Sequence, residues 1–144
     1  MTRAPLANSG SALSCDSSLR QQWYRSGDGF LFIFSITARE TFDELPRLYD
    51  EIRRAREEDG SGIPCVIVAN KCDLKERRQV SSTEARARAK KFGCPFVKTS
   101  AKTGVNIDLA FRQCARRVLR TYISILHGWL SLVDILRRGW PSHQ

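Results

Sequence analysis

Two short polar segments hold the residues best placed for chemistry: Asn70-Lys71-Cys72-Asp73 and Ser100-Ala101-Lys102. A carboxylate such as Asp73 accepts two hydrogen bonds at once from a flat ring edge carrying two adjacent N–H groups. Guanine offers that edge through N1 and the exocyclic N2, and adenine lacks both donors there. Asn and Asp directly after a strand also suit an ordinary polar turn, and the four residues of the first segment do not separate these readings.

The elements that must position these segments are legible from periodicity. Phe30 to Ile36 is a nearly continuous apolar run, which predicts a strand covered on both faces, and Cys65 to Ala69 predicts a second. Pro95 to Thr99 predicts a third. Between the first two, Thr41 and Glu44 have capping-box spacing, followed by Phe42, Leu45, Leu48, Tyr49, Ile52 and Ala55 at helical intervals. Pro46 removes a donor there, so the helix is expected to open as a short turn, restart at Pro46 and end in a loop over Glu57 to Gly62. Ser81 and Glu84 repeat the capping pattern, Ala85, Ala89 and Phe92 face inward, and Gly93 supplies a left-handed stop. From Ile107, with Asn106 as N-cap, a stripe of Ala110, Phe111, Cys114, Ala115, Val118, Leu119 and Tyr122 predicts a packed helix. Ile125, Leu126, Trp129, Val133, Leu136 and Trp140 extend it, as one helix or two joined at Gly128. Alternating strands and helices imply a parallel sheet with right-handed crossovers. Ligands of such sheets bind beyond the carboxyl ends of the strands, where both polar segments fall.

At those positions the chain resembles the Ras family of small GTPases, through the N-K-x-D and S-A-K loops and the elements between Arg20 and Arg120. Gln22 to Phe30 is similar to the end of that family's switch II helix and the entry to its fourth strand. The resemblance implies an α/β fold, a partial P-loop-NTPase-like parallel sheet comprising strands four to six and helices three to five of a Ras-like G domain, with a C-terminal helical extension. It implies guanine-binding roles for six residues. Asn70 contacts the base and steadies the neighbouring loop, Lys71 lays its stem on the ring, and Asp73 reads the base edge. Ser100 braces the loop, the Ala101 amide meets guanine O6, and Lys102 packs on the other side of the ring.

The family's activity is hydrolysis of GTP to GDP with Mg²⁺, in signal transduction. It needs a G-x-x-x-x-G-K-[ST] loop for the phosphates and the metal. The lysines here stand at 71, 75, 90, 91, 98 and 102, and none follows a glycine. The switch I threonine is not found, and Leu13 to Ser18 replaces the D-x-x-G segment whose glutamine orients water. The expectation is therefore a truncated GTPase with no catalytic or metal-binding residues of its own. Base contacts alone would hold GTP or GDP only near ~1 mM. The bared edge of the Phe30 to Ile36 strand would be apolar and prone to pairing. A second expectation, of a different class, is a non-enzymatic module that binds proteins through that edge or the family's third and fourth helices, or binds a membrane.

The division expected is a flexible leader over residues 1–18, a partial G domain over 19–120 and an apolar, basic helical tail over 121–144. The net charge is +9, but no long like-charge run or basic-aromatic ladder occurs, which argues against a nucleic-acid partner. An odd number of cysteines, five, with some inside apolar runs, fits reduced thiols and a cytoplasmic location. No secretory signal opens the chain, and no Cys near the end forms a prenylation motif. The tail admits two readings. It is an interfacial helix with Trp129, Leu132, Val133 and Trp140 on lipid and Arg137 and Arg138 on headgroups, giving peripheral membrane association. Alternatively, its stripe covers apolar surface left by the missing strands, or was never selected to fold.

Overall fold

The computed structural model describes residues 17–56 and 62–138, with the side chains of the last helix described as far as Ser131. Helix α1 (Ser17–Ser26) leads into strand β1 (Phe30–Ser35). Helices α2 (Arg39–Asp43) and α3 (Leu45–Ala55) follow, then β2 (Cys65–Asn70) and a single 3-10 turn at Lys75–Arg77. Helix α4 (Ser82–Lys91), strand β3 (Phe96–Lys98) and helix α5 (Ile107–Arg138) complete the order. The α/β class and the parallel sheet agree with expectation. The sheet runs β1-β2-β3, with Phe30 beside Cys65 and Ile67 beside Phe96.

Alternation along the strands divides the core in two. Phe32 and Phe34 of β1 and Cys65, Ile67 and Ala69 of β2 point into the larger cluster with Phe42, Leu45, Ile52, Ala85, Ala89 and Phe92 from α2, α3 and α4. Val66, Val68 and Val97 point the other way, onto Ala110 and Cys114 of α5. β2 is therefore enclosed on both faces, as its unbroken apolar run requires. β1 departs from the expectation of two covered faces: Leu31 packs against the cluster beneath α5, but Ile33 on the same side stays 56% exposed.

Other local expectations also need correction. Thr41 does not cap a helix; its hydroxyl donates to the Ala38 carbonyl and accepts from the Ser35 amide, tying the start of α2 to the end of β1. Ala38 is the N-cap of α2, without a side-chain bond. The chain does restart at Leu45, with Pro46 in the first turn of α3, where a missing donor costs little. β3 has three residues rather than five. Helix α1 begins at Ser17, inside the segment expected to be a flexible leader, and residues 1–16 lie outside the described residues. The loop expected over Glu57 to Gly62 lies outside them as well, except Gly62. By contrast, Ser81 and Glu84 form the complete reciprocal capping box, and Gly93 adopts φ +64 where α4 stops.

The helix after Asn106 is one continuous element, but not on the expected face. Ala110, Cys114 and Val118 turn toward the sheet, whereas Phe111, Ala115, Leu119 and Tyr122 are exposed. The stripe continued through Leu126 and Trp129 therefore does not cover bare sheet. The expectations for Leu132, Val133, Leu136, Arg137, Arg138 and Trp140 lie outside the described side chains. Among the described residues no helix is long and apolar enough to cross a membrane.

Candidate functional site

β2 ends at Asn70, and the chain then reverses through Lys71, which adopts φ 64. A lysine in the left-handed region carries a cost of about 1 kcal/mol that surrounding bonds must offset. They are present: the Lys71 carbonyl accepts from the Leu74 amide at 2.9 Å, and the Cys72 amide donates to the Thr99 carbonyl at 2.9 Å. The second bond reaches the end of β3, so the two polar loops share one anchoring point.

Side chains complete the connection. The Ser100 hydroxyl donates to Asp73 Oδ1 at 2.6 Å and accepts from the Thr103 amide at 3.2 Å. Asn70 Oδ1 accepts from the Ala101 amide at 3.1 Å and, more weakly, from Thr99 Oγ1 at 3.4 Å. The Ser100 amide donates to the Val105 carbonyl, closing the loop on itself. Ser100 is fully enclosed while Asp73, Ala101, Lys71 and Lys102 are exposed. A buried hydroxyl thus holds a carboxylate that faces outward.

The Asp73 carboxyl is held below its ordinary value, first by the Ser100 hydrogen bond and then by its own backbone amide and the charges of Lys102 and Lys71. Desolvation opposes this and is outweighed. Asp73 is therefore an acceptor near neutrality, with Ser100 using only part of its lone-pair capacity.

Of the six expected residues, Asn70, Asp73, Ser100 and Ala101 are joined by hydrogen bonds, and Lys71 and Lys102 flank the carboxylate. The Ala101 amide, assigned to a ligand oxygen by resemblance, is here engaged by Asn70. Asn106, expected as an N-cap, has φ 57 and sends its side-chain amide to the Lys98 carbonyl at 2.8 Å. Its own carbonyl receives the Ala110 amide, so it opens α5 through the backbone alone. Thr99 was not foreseen; it is 1% exposed and touches both loops, but a threonine closing a strand gives no sequence signal of that role. An apolar groove lined by Leu31, Ile33, Val68, Ile107, Ala110 and Phe111 runs up to Asn70, Thr99 and Ala101.

The comparisons with known proteins fit this geometry. A family model described as "Ras: Ras family" matches residues 16–120. The chain belongs to the Ras family. It is 40% identical over 104 residues to a "Ras-like protein" of Laccaria bicolor, an alignment covering 72% of this chain and 49% of that protein. The chain thus spans about half the length of this curated relative. The matched interval contains both polar loops and every described strand. Membership implies binding of GTP or GDP and Mg²⁺ for the family generally.

Proposed function

We propose that this Ras-family chain recognises the guanine base of GTP or GDP through the face formed by Asn70, Lys71, Asp73, Ser100, Ala101 and Lys102. The observation that carries the reading is the Ser100–Asp73 bond, which links two loops from neighbouring strands and presents an ionised carboxylate outward. Asp73 accepts from guanine N1 and N2, an arrangement adenine cannot satisfy. Lys71 and Lys102 contribute stems along the ring faces, and Ala101 turns its amide to O6 when Asn70 releases it.

The residues fit the base but not the whole nucleotide. The sequence contains no G-x-x-x-x-G-K-[ST] loop, and among the described residues no cluster of three His, Cys, Asp or Glu can hold a metal. In the family at large Mg²⁺ neutralises the transferring phosphates. Among the described residues nothing supplies that stabilisation, and we read the chain as a base-recognition unit that does not hydrolyse GTP unaided. A second reading, a protein-interaction module, is favoured by one observation: Ile33 and Phe111, 56% and 61% exposed, face the same groove beside the outer strand β1.

Isothermal titration with GDP and Mg²⁺, an ADP control and Asp73→Ala tests the first reading. The expected result is weak GDP binding near ~1 mM, absent with ADP and lost in the variant. Equal binding of GDP and ADP, or GDP binding unchanged by Asp73→Ala, would overturn base recognition. Affinity tighter than about 1 μM would overturn the claim that the phosphate-binding function is missing.

A further inference from the structure

The sheet brings two cysteines together. Cys65 opens β2, and Cys94 sits in the turn between α4 and β3. Ile67 pairs with Phe96 in the parallel register, and the Ile67 amide donates to the Pro95 carbonyl at 3.0 Å. Carried two residues back, that register sets Cys65 opposite Cys94, on the same face of the sheet. Both side chains join the larger core cluster, Cys65 within it and Cys94 packed against it. Neighbouring strands lie about 4.8 Å apart, inside the Cα separation of about 4.4–6.8 Å that a disulfide spans. Pro95 has no amide to continue the ladder, and Cys94 is held instead by its own amide, which donates to the Ala89 carbonyl at 2.9 Å. Movement of Cys94 toward Cys65 therefore breaks no rung between β2 and β3.

The two thiols are chemically unequal. Cys65 is fully buried and donates its S–H to Cys94; that bond, and then burial, push its titration up. Cys94 is held below the ordinary thiol value, first by the hydrogen bond from Cys65 and then by the Ile67 amide and the Arg117 guanidinium, against the opposing effect of burial. Arg117 is fixed beside it by a bond from its guanidinium to the Gly93 carbonyl at 2.6 Å. Cys94 is also the more accessible of the pair, half-buried where Cys65 is enclosed. Cys114 packs on the opposite face of the sheet, and burial pushes its thiol up. Cys72 lies past the carboxyl end of β2.

We propose that Cys65 and Cys94 form a peroxide-responsive dithiol, with Cys94 as the thiol that hydrogen peroxide oxidises and Cys65 as the partner that closes the disulfide. A thiolate is the nucleophile, and a neighbouring guanidinium favours it, so attack begins at Cys94. The Cys94 sulfur attacks one peroxide oxygen, the O–O bond breaks, and hydroxide leaves, giving a sulfenic acid. The Cys65 sulfur then attacks the Cys94 sulfur, the S–O bond breaks, and the sulfenic oxygen leaves with the Cys65 proton as water. The proton first released by Cys94 neutralises the hydroxide, so two thiols are oxidised and one peroxide is reduced to two waters. The bond closes residues 65–94 into a ring that includes α4 and the loop from Asn70 to Asp73. The inference does not depend on nucleotide binding.

The test treats the reduced full chain with hydrogen peroxide, blocks the remaining thiols and maps tryptic peptides by mass, using protein that still runs as a monomer on a non-reducing gel. Cys65, Cys72 and Cys94 fall in separate peptides, 57–71, 72–75 and 92–98. The expected product joins 57–71 to 92–98, weighs two hydrogen atoms less than their sum, and separates on reduction with dithiothreitol. Cys94→Ala should leave Cys65 reduced at peroxide doses that oxidise wild type, and Cys65→Ala should stop at a Cys94 sulfenic acid that dimedone traps. Circular dichroism should be the same before and after oxidation, and a guanidinium-denatured chain should lose the preference for this pair. Folded wild-type protein in which peroxide leaves Cys65 and Cys94 unlinked overturns the proposal, as does linkage of Cys94 to Cys72 or Cys114 in preference to Cys65. Oxidation of Cys65 that persists in Cys94→Ala overturns the order of the two steps. Linkage that unfolds the chain, or an equal preference after denaturation, overturns the claim that the native register brings the thiols together.

Discussion

Replacing Ser100 by Ala tests whether the two loops are held together as described. The hydroxyl is fully buried, donates to Asp73 and accepts from the Thr103 amide. Ala removes one oxygen and leaves almost no cavity, so packing changes little. What changes is hydrogen bonding. The Thr103 amide loses an acceptor in a partly buried setting, which costs about 1–2 kcal/mol. The bond to Asp73 ends in an exposed carboxylate, so solvent screens its contribution and leaves it the smaller of the two. For a chain of this size the loss should move a urea midpoint down by about 0.5–1 M at neutral pH.

A pH series separates the two bonds. Because the folded Asp73 carboxyl is held below its ordinary value, its bond stabilises the fold above the unfolded pKa, about 3.9. That contribution disappears as pH falls through the lower folded value. The gap between wild type and Ser100→Ala should therefore be largest near neutrality and narrow in acid, leaving only the part due to Thr103. Midpoints that coincide at neutral pH would refute the claim that Ser100 joins the loops, and a gap that widens in acid would refute the direction assigned to Asp73.

Two further outcomes probe the supports of the site. A Cβ added at Gly29 would lie 2.6 Å from Val118 Cγ2 and 2.9 Å from Cys114 Sγ, so Gly29→Ala should force α5 away from the sheet and cost about 1–3 kcal/mol in thermal unfolding. Val118→Ala in the same chain should recover part of that loss, and additive effects would show that the two positions do not meet. Ser81→Ala removes the acceptor of the Glu84 amide at the start of α4 and should lower stability by about 1 kcal/mol in chemical denaturation; an unchanged midpoint would mean that the cap is redundant.

Much of the site was legible in the chain itself. Apolar runs such as Cys65 to Ala69 exclude water on both faces, so they form central strands almost regardless of context, and polar residues directly after them must lie at the sheet's carboxyl edge. Ser81 with Glu84 is a local device that completes itself within four residues. Thr41 with Glu44 has the same spacing and fails, because the Ser35 amide and the Ala38 carbonyl compete for the same hydroxyl.

Where partners lie far apart in sequence, only the folded chain decided the outcome. Asp73 and Ser100 are separated by 27 positions, and their bond exists because β2 and β3 are parallel neighbours. The pattern in α5 shows the same limit. Periodicity identifies Leu119, Tyr122 and Leu126 as apolar and in line, but cannot tell which apolar face will find a surface to cover it. Gly29 admits α5 close to the sheet at Cys114 and Val118, and Ala110 packs on Val66, Val68 and Val97, so that face of the helix is the one covered. Residue types and spacing thus determined which elements form and which groups stand at the strand ends. The tertiary structure determined what they touch, because burial is a property of two surfaces and a sequence pattern describes only one.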